Sequence, residues 1–260
     1  MKIAVSGKGG VGKTFVAGVL ADFFVRKRFK VLAIDADPSP NLALTLGIPL
    51  DEATKIVPVS ENSQLLESKT QTNFEGVYRL SFTVDDIVEK FGVKSPYGMN
   101  LLVMGTVRSA GAGCTCPANA VIRALLRHLI VERDEVVVMD MEAGVEHMGR
   151  GTARHMDTML IVADSSLKSL EIAKKISGLA NEAGIKNAFI IGNKVRDSNE
   201  GEMIKHFAAT NKMSVLDFVP YDETILKADM EGEAPLKYTE VSKGIAAVQR
   251  IGENLINPKI

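Results

Sequence analysis

Six short apolar runs punctuate this chain, and stretches with helical spacing separate most of them. Ile3-Ala4-Val5 ends at Ser6, and Val31-Leu32-Ala33-Ile34 ends in Asp35 before a stop at Pro38. Asn100 to Met104, Val136 to Met139, Met159 to Ala163 and Ala188 to Gly192 follow. Each run is β-rich and too short for a helix, whereas Lys13 to about Lys27 reads as the first helix. Continuous apolar strands alternating with helices predict βαβ units around a parallel sheet buried on both faces. The expected fold is α/β: a mostly parallel central sheet with helices on both faces, in a single domain over residues 1–260.

Residues 50–98 depart from that rhythm and read as an insertion. Asp51 to Gln71 is polar and carries no clear period; Tyr78, Leu80 and Phe82 then alternate like a half-buried strand. Thr83 with Asp86 three residues on resembles a helix N-cap, and Gly92 marks the expected end of that helix. Asp85, Asp86 and Glu89 are read as first-turn acids and a solvated face.

Composition narrows the class without naming a chemistry. An apolar fraction of 46% with 24% charged residues and a net charge of −1 describes an ordinary globular chain. No run approaches the roughly 18–20 apolar residues of a membrane span, and the start at Met1-Lys2-Ile3 is too short for a signal peptide, which gives a cytoplasmic expectation. The densest basic cluster, Arg26-Lys27-Arg28 with Lys30, falls where the first helix should end and suits the negative end of its dipole. Nothing advertises a nucleic-acid footprint or stable membrane insertion.

Gly7-Lys8-Gly9-Gly10-Val11-Gly12-Lys13-Thr14 fits the phosphate-loop pattern, with a strand before it and a helix after. Its glycines permit backbone conformations that aim several N–H groups at one anion, and the helix N-terminus adds its dipole. Lys13 reaches the outer phosphates and the Thr14 hydroxyl holds magnesium. The nucleotide-binding set therefore runs from Gly7 through Phe15, and the fold expected is that of a P-loop NTPase.

Lys8 has no obvious role on its own phosphates once Lys13 is present. KGGVGKT resembles the deviant Walker A motif of the family that includes MinD, plasmid-partition ATPases and nitrogenase iron protein. The resemblance implies that Lys8 reaches a partner subunit's nucleotide and that ATP sandwiches a homodimer. It also implies that Asp35-Ala36-Asp37-Pro38 is a first switch, with Asp37 orienting the attacking water and Asp35 in the magnesium shell. Lys8, Lys13 and Asp37 are then the catalytic set. Val136 to Asp140 looks like a Walker B strand with Asp140 on magnesium through water, and Ala143-Gly144 begins a second switch. Asn193 at a strand end is expected to meet adenine; Asn193-Lys194 looks like the guanine signature, but Arg196 stands where that signature needs Asp. Pro220-Tyr221-Asp222-Glu223 and Gly232-Glu233-Ala234-Pro235 match the family's base-enclosing segment, which places Asn193, Lys194, Pro220 and Asp222 in the nucleotide site.

The only two cysteines, Cys114 and Cys116, share one glycine-flanked tripeptide at the expected start of a helix running to about Val131. A helix N-terminus lowers thiol pKa and favours metal binding. One C-x-C supplies two ligands, too few for a closed four-coordinate site, whereas two facing subunits supply four. A C-x-C joined to a deviant Walker A resembles the accessory ATPases of carbon monoxide dehydrogenase maturation, the CooC type. Asp140-Met141-Glu142-Ala143-Gly144-Val145-Glu146-His147-Met148-Gly149-Arg150-Gly151 looks like that group's second switch. The resemblance implies an ATPase dimer with ATP/ADP and Mg2+, holding Ni2+ (or Zn2+) on Cys114 and Cys116 and delivering nickel to a client such as carbon monoxide dehydrogenase or acetyl-CoA synthase. His147 is read as a packing or hydrogen-bonding residue, and His128, His155 and His206 as structural.

Two other readings stand beside this one. A MinD- or partition-type positioning ATPase wants a basic amphipathic C-terminal helix or a basic surface, yet Gly244 to Ile260 carries only Arg250 and Lys259 as cations. An iron–sulfur scaffold would use the same C-x-C for a shared cluster, although no cysteine follows Cys116.

Overall fold

The computed structural model describes residues 1–70, 86–105, 117–132, 134–142 and 153–257. In chain order the elements are β1 (Lys2–Gly7), α1 (Lys13–Arg26), β2 (Val31–Ala36), the short helices α2 (Leu42–Thr45) and α3 (Leu50–Ala53), α4 (Ser63–Thr70), α5 (Ile87–Phe91), β3 (Val93–Lys94) and β4 (Asn100–Val103). Helix α6 (Pro117–Arg127) runs into a π-helical turn, His128–Glu132. The second half comprises β5 (Val136–Met141), β6 (Thr158–Ala163), α7 (Leu167–Glu182), β7 (Ala188–Val195), α8 (Ser198–Thr210), β8 (Ser214–Pro220), α9 (Glu223–Met230) and α10 (Lys243–Ile256).

The strands form one eight-stranded sheet in the order β3-β4-β2-β5-β1-β6-β7-β8. Only the two-residue β3 runs antiparallel to its neighbour; the other pairs are parallel. Side chains alternate along each strand, so each strand feeds two cores. Ile3, Val5, Val31, Ala33, Val136, Val138, Leu160 and Val162 pack with α1 and α10 on one face. Ala4, Leu32, Ile34, Val137, Met139 and Ile161 pack with α6, α7 and α8 on the other. The expected α/β architecture with helices on both faces is observed.

All six expected strands are present. The two-residue β3 and strand β8 are additional; in β8 Asp217 interrupts the apolar pattern, and in the fold its carboxylate takes two hydrogen bonds from Arg250 of α10, at 2.7 and 3.0 Å, on the sheet's edge. The expected Thr83 cap lies outside the described residues, and the helix there starts at Ile87 after Asp86. Asp86 makes no side-chain cap; its two oxygens accept from Lys69 at 2.6 Å and Lys90 at 2.9 Å, which hold its carboxyl down at about 2. Tyr78, Leu80, Phe82 and Asp85 also lie outside the described residues.

The basic cluster behaves as a helix end. Arg26 bonds Asp22 one turn back, and Lys27 pairs with Glu253 of α10. Helix α10 turns its apolar face inward: Ile245, Val248 and Ile251 are buried, and a Cβ on Gly252 would come within 2.4 Å of the Phe23 ring on α1. Among the described residues no helix is long and apolar enough to cross a membrane.

Candidate functional site: a phosphate loop facing two buried carboxylates

Strand parity places the chemistry. Asp35 has the parity of Val31 and Ala33, Asp140 that of Val136 and Val138, and Asn193 that of Ile191, all of which pack on the α1 face. Asp35 and Asp140 are register partners on adjacent parallel strands, and Asp140 is also level with Val5 just before the loop. Two carboxylates thus lie side by side under the start of α1, where Lys13 and Thr14 begin the helix.

The loop is tightly hemmed. A Cβ on Gly7 would approach the Val162 carbonyl oxygen to 2.3 Å, so β6 leaves no room for a side chain there. Gly12 has φ 95°, and a Cβ there would meet the Asn193 amide at 2.3 Å. Val11 between the glycines is buried and anchors the loop in the core.

The carboxylates differ in how they are satisfied. Asp35 accepts from the Leu42 N–H at 2.9 Å and the Asp37 N–H at 3.2 Å; burial still pushes it up to about 6. Asp37 accepts from the Ser39 N–H at 2.9 Å and faces Lys13 with N···O at 3.9 Å, the outer limit of an ion pair. Neither oxygen of Asp140 has a hydrogen-bond partner although the residue is 1% exposed. Burial raises its pKa to about 7; the Thr14 hydroxyl lies near enough to oppose this without reaching hydrogen-bond geometry, and the charges of Asp35 and Asp37 add to the rise. A buried unpartnered carboxylate is unfavourable by itself. Two carboxylates and a hydroxyl make a hard, all-oxygen set, and that set fits Mg2+.

A cleft of about 570 Å³ runs from the loop outward, lined by Lys13, Thr14, Phe15, Asn193, Pro220 and Asp222 among others. Asn193 and Lys194 both face the loop: Asn193 Nδ2 donates to Val11 O at 2.7 Å and Lys194 Nζ to Gly10 O at 2.8 Å. The Asp222 carboxylate is occupied within the protein. It accepts from the Thr224 N–H at 2.9 Å, the Ser242 hydroxyl at 2.7 Å and the Gly244 N–H at 2.9 Å. Burial opposes its charge, but those donors outweigh burial and its pKa falls below the usual range. Asp222 therefore caps α9 and latches it to the start of α10, forming a wall of the cleft.

The sequence left other wall residues unassigned. Leu44 and Thr45 of α2 and Ile225 and Leu226 of α9 line the same cleft, beside Tyr221 of the expected base-enclosing segment. The clearest signal for α9 was the Asp-Glu-Thr at its start; α2 carried none. The Lys8 side chain makes no hydrogen bond or ion pair among the described residues, and the residue is partly exposed. Cys114, Cys116, Ala143, Gly144, Glu146 and His147 lie outside the described residues. Among those described, no cluster of three or more His, Cys, Asp or Glu is placed to hold a metal.

Comparison with known proteins agrees with this geometry. Residues 2–236 match the CobQ/CobB/MinD/ParA nucleotide binding domain. An uncharacterised ATP-binding protein of Methanocaldococcus jannaschii is 43% identical over 263 residues, covering 100% of this chain and 99% of that protein. The carbon monoxide dehydrogenase accessory protein CooC of Rhodospirillum rubrum is 42% identical over 234 residues, covering 89% of this chain and 88% of CooC. Among solved structures, a ParA family ATPase from Chlorobium tepidum (TM-score 0.70, 19% identity, 98% of each chain) shares the fold. MinD in the Aquifex aeolicus MinC:MinD complex does so too, with TM-score 0.70, 20% identity, and 100% of this chain and 97% of that one covered. This chain, similar to CooC over most of its length, belongs to the CobQ/CobB/MinD/ParA nucleotide-binding family.

Proposed function

We propose that this protein is an ATP hydrolase acting as a homodimeric metallochaperone, which binds nickel between the C-x-C motifs of two subunits and delivers it during maturation of carbon monoxide dehydrogenase or acetyl-CoA synthase. The observation that carries the reading is the 42% identity to CooC across 89% of the chain, in a sequence whose only cysteines form one C-x-C.

In this reading Thr14, Asp35 and Asp140 hold magnesium, which neutralises charge on the β- and γ-phosphates. Lys13 takes the outer phosphates from its buried position at the start of α1. Asp37, beside Lys13, orients the attacking water. Lys8, whose side chain has no partner in its own protomer among the described residues, crosses to the second subunit's nucleotide. The cleft walls at Asn193, Pro220 and Asp222 enclose adenine. Closing the dimer on ATP gathers four thiolates from two half-sites; opening it after hydrolysis leaves two per subunit. Four-ligand thiolate or imidazole zinc sites hold their ion with roughly 10–16 kcal/mol of apparent free energy. A differential of about 5.5 kcal/mol switches a two-state equilibrium almost completely. Losing half the ligands is a change of that order.

The test is metal analysis of anaerobic protein with ADP, with ATP and without nucleotide, beside a Cys114→Ala, Cys116→Ala double variant. About one divalent ion per dimer is expected, absent from the variant. Stoichiometric metal in the variant would remove the site assignment. In parallel, Lys8→Ala should slow turnover on the order of 10³-fold, as loss of a cation supplied in trans does, with monomer nucleotide binding retained. Unchanged hydrolysis would reject the cross-subunit lysine.

A further inference from the structure

Two consecutive residues at the end of β7 grip two consecutive carbonyls of the phosphate loop. Asn193 Nδ2 meets Val11 O at 2.7 Å and Lys194 Nζ meets Gly10 O at 2.8 Å. Successive residues of a regular strand point to opposite faces, so an undistorted β7 cannot send both side chains to one loop. The strand is distorted here: its register with β8 shifts between Gly192 and Val195, and Lys194 takes φ 60°, a left-handed conformation rare outside glycine. Such a conformation persists where its surroundings over-determine it, and it concentrates at functional sites.

The loop's own geometry says what the grip does. Gly10 and Gly12 have φ 81° and 95°, flanking Val11. Successive N–H groups in turns of this kind form a concavity that receives anions. In a trans peptide the C=O and N–H of one plane point in opposite directions. Holding Gly10 O toward β7 therefore fixes where the Val11 N–H points, and holding Val11 O fixes the Gly12 N–H. The Val11 N–H now meets only a long 3.4 Å contact to Lys8 O, which an anion can displace.

We infer that Lys194 is a positioning residue for the phosphate loop, locking the Gly10–Val11 peptide plane, while Asn193 locks the next plane, so that both N–H groups face the phosphates of a nucleoside di- or triphosphate. The inference rests on the reading of this loop as the phosphate site and assigns Lys194 to the phosphates' receptor instead of to the base. Lys194 is exposed, so its replacement leaves the core intact.

The experiment compares wild type, Lys194→Met, Lys194→Arg and a charge control, Lys205→Met, which removes an exposed lysine of α8. Each is titrated calorimetrically with magnesium ADP, magnesium GDP and magnesium tripolyphosphate, which has no base, at fixed ionic strength. Lys194→Met should weaken ADP and tripolyphosphate alike, by about tenfold, without altering the ADP-to-GDP ratio. Lys194→Arg should recover most of the loss, and Lys205→Met should show none. Weakened ADP binding with unchanged tripolyphosphate binding, or an altered base preference, would show that Lys194 reads the nucleoside and overturn the inference. Equal binding by wild type and Lys194→Met would show the contact to be idle and overturn it too. A wild type that binds none of the three ligands would defeat the phosphate-site reading itself.

Discussion

Two aspartates mark the two ends of the site, one in the wall of the cleft and one buried beneath the start of α1, and the two are opposites. At the outer end Asp222 is held by three donors, from Thr224, Ser242 and Gly244, and its pKa is lowered. At the inner end Asp140 is buried with both oxygens unpartnered, and its pKa rises to about 7. The outer carboxylate is complete without a ligand and serves the fold. The inner one is unfavourable while charged; in the proposed reading a cation offsets that charge, and Asp140 serves binding instead of the fold. An unsatisfied buried group is therefore a better pointer to ligand chemistry here than a place in the cleft lining, which Asp222 has and Asp140 does not.

The largest effect should come from making the inner end resemble the outer. Asp140→Asn removes the buried charge while keeping its shape. ATP turnover should fall on the order of 10²- to 10³-fold, the range for loss of one preorganised electrostatic group, while the nucleotide-free protein melts a few degrees higher. Phosphate release and thermal unfolding measure the two halves of that outcome. A variant that melts lower in the absence of nucleotide would show that Asp140 is satisfied in the empty protein, and the contrast with Asp222 would be gone.

The same contrast has a pH signature. Asp35 and Asp140 bind protons more tightly folded, at about 6 and about 7, than unfolded, at about 3.8. An acid whose folded pKa is raised favours the folded state at low pH, so the nucleotide-free protein should lose stability from about pH 4 to 7 and level off above. Urea midpoints for wild type across that range should fall, and Asp140→Asn should flatten the slope. Excess magnesium ADP should flatten it as well, because the cation takes the proton's place. A wild-type midpoint that rises over this interval would contradict the assignment.

Much of this was legible in the sequence. The strands, the phosphate loop and the aspartates at the ends of β2 and β5 follow from local pattern, because a buried parallel strand writes itself as a continuous apolar run and its functional residue sits at the end. What could not be read is tertiary. Strand β8 was hidden by Asp217, whose partner Arg250 lies 33 residues on. Asp222 lies in a segment that resembles the family's base-enclosing one, but its latch to Ser242 spans 20 residues and nothing local announces it. The left-handed backbone of Lys194 follows from a register shift between two strands, a feature no single-residue preference encodes.

A smaller effect should come from the outer end. Asp222→Ala removes the α9 cap and the tie to α10 together. Hydrogen bonds to a charged group contribute roughly 1.5–3 kcal/mol when buried; Asp222 is only partly so, and a loss of about 1–2 kcal/mol is expected, read as a lower urea midpoint with an unchanged slope. Nucleotide affinity should fall through KM while kcat holds, since the residue shapes a wall and touches no reacting atom. A drop in kcat at constant KM would move Asp222 into the catalytic machinery.

The smallest and sharpest test is Ser242→Ala, which divides the latch from the cap. The Ser242 hydroxyl donates to Asp222 at 2.7 Å and accepts from the Ile245 N–H at 3.0 Å as the N-cap of α10. Losing a serine cap costs about 1 kcal/mol, and Asp222 keeps its two backbone donors. The variant should therefore lose about 1 kcal/mol of stability and leave ATP binding nearly unchanged, because the Gly244 N–H still ties the Asp222 wall to α10. If Ser242→Ala weakens ATP as much as Asp222→Ala does, the hydroxyl and not the backbone holds the wall. The outer aspartate would then depend on one side chain, and the claim that its environment is complete without ligand would narrow to a single hydrogen bond.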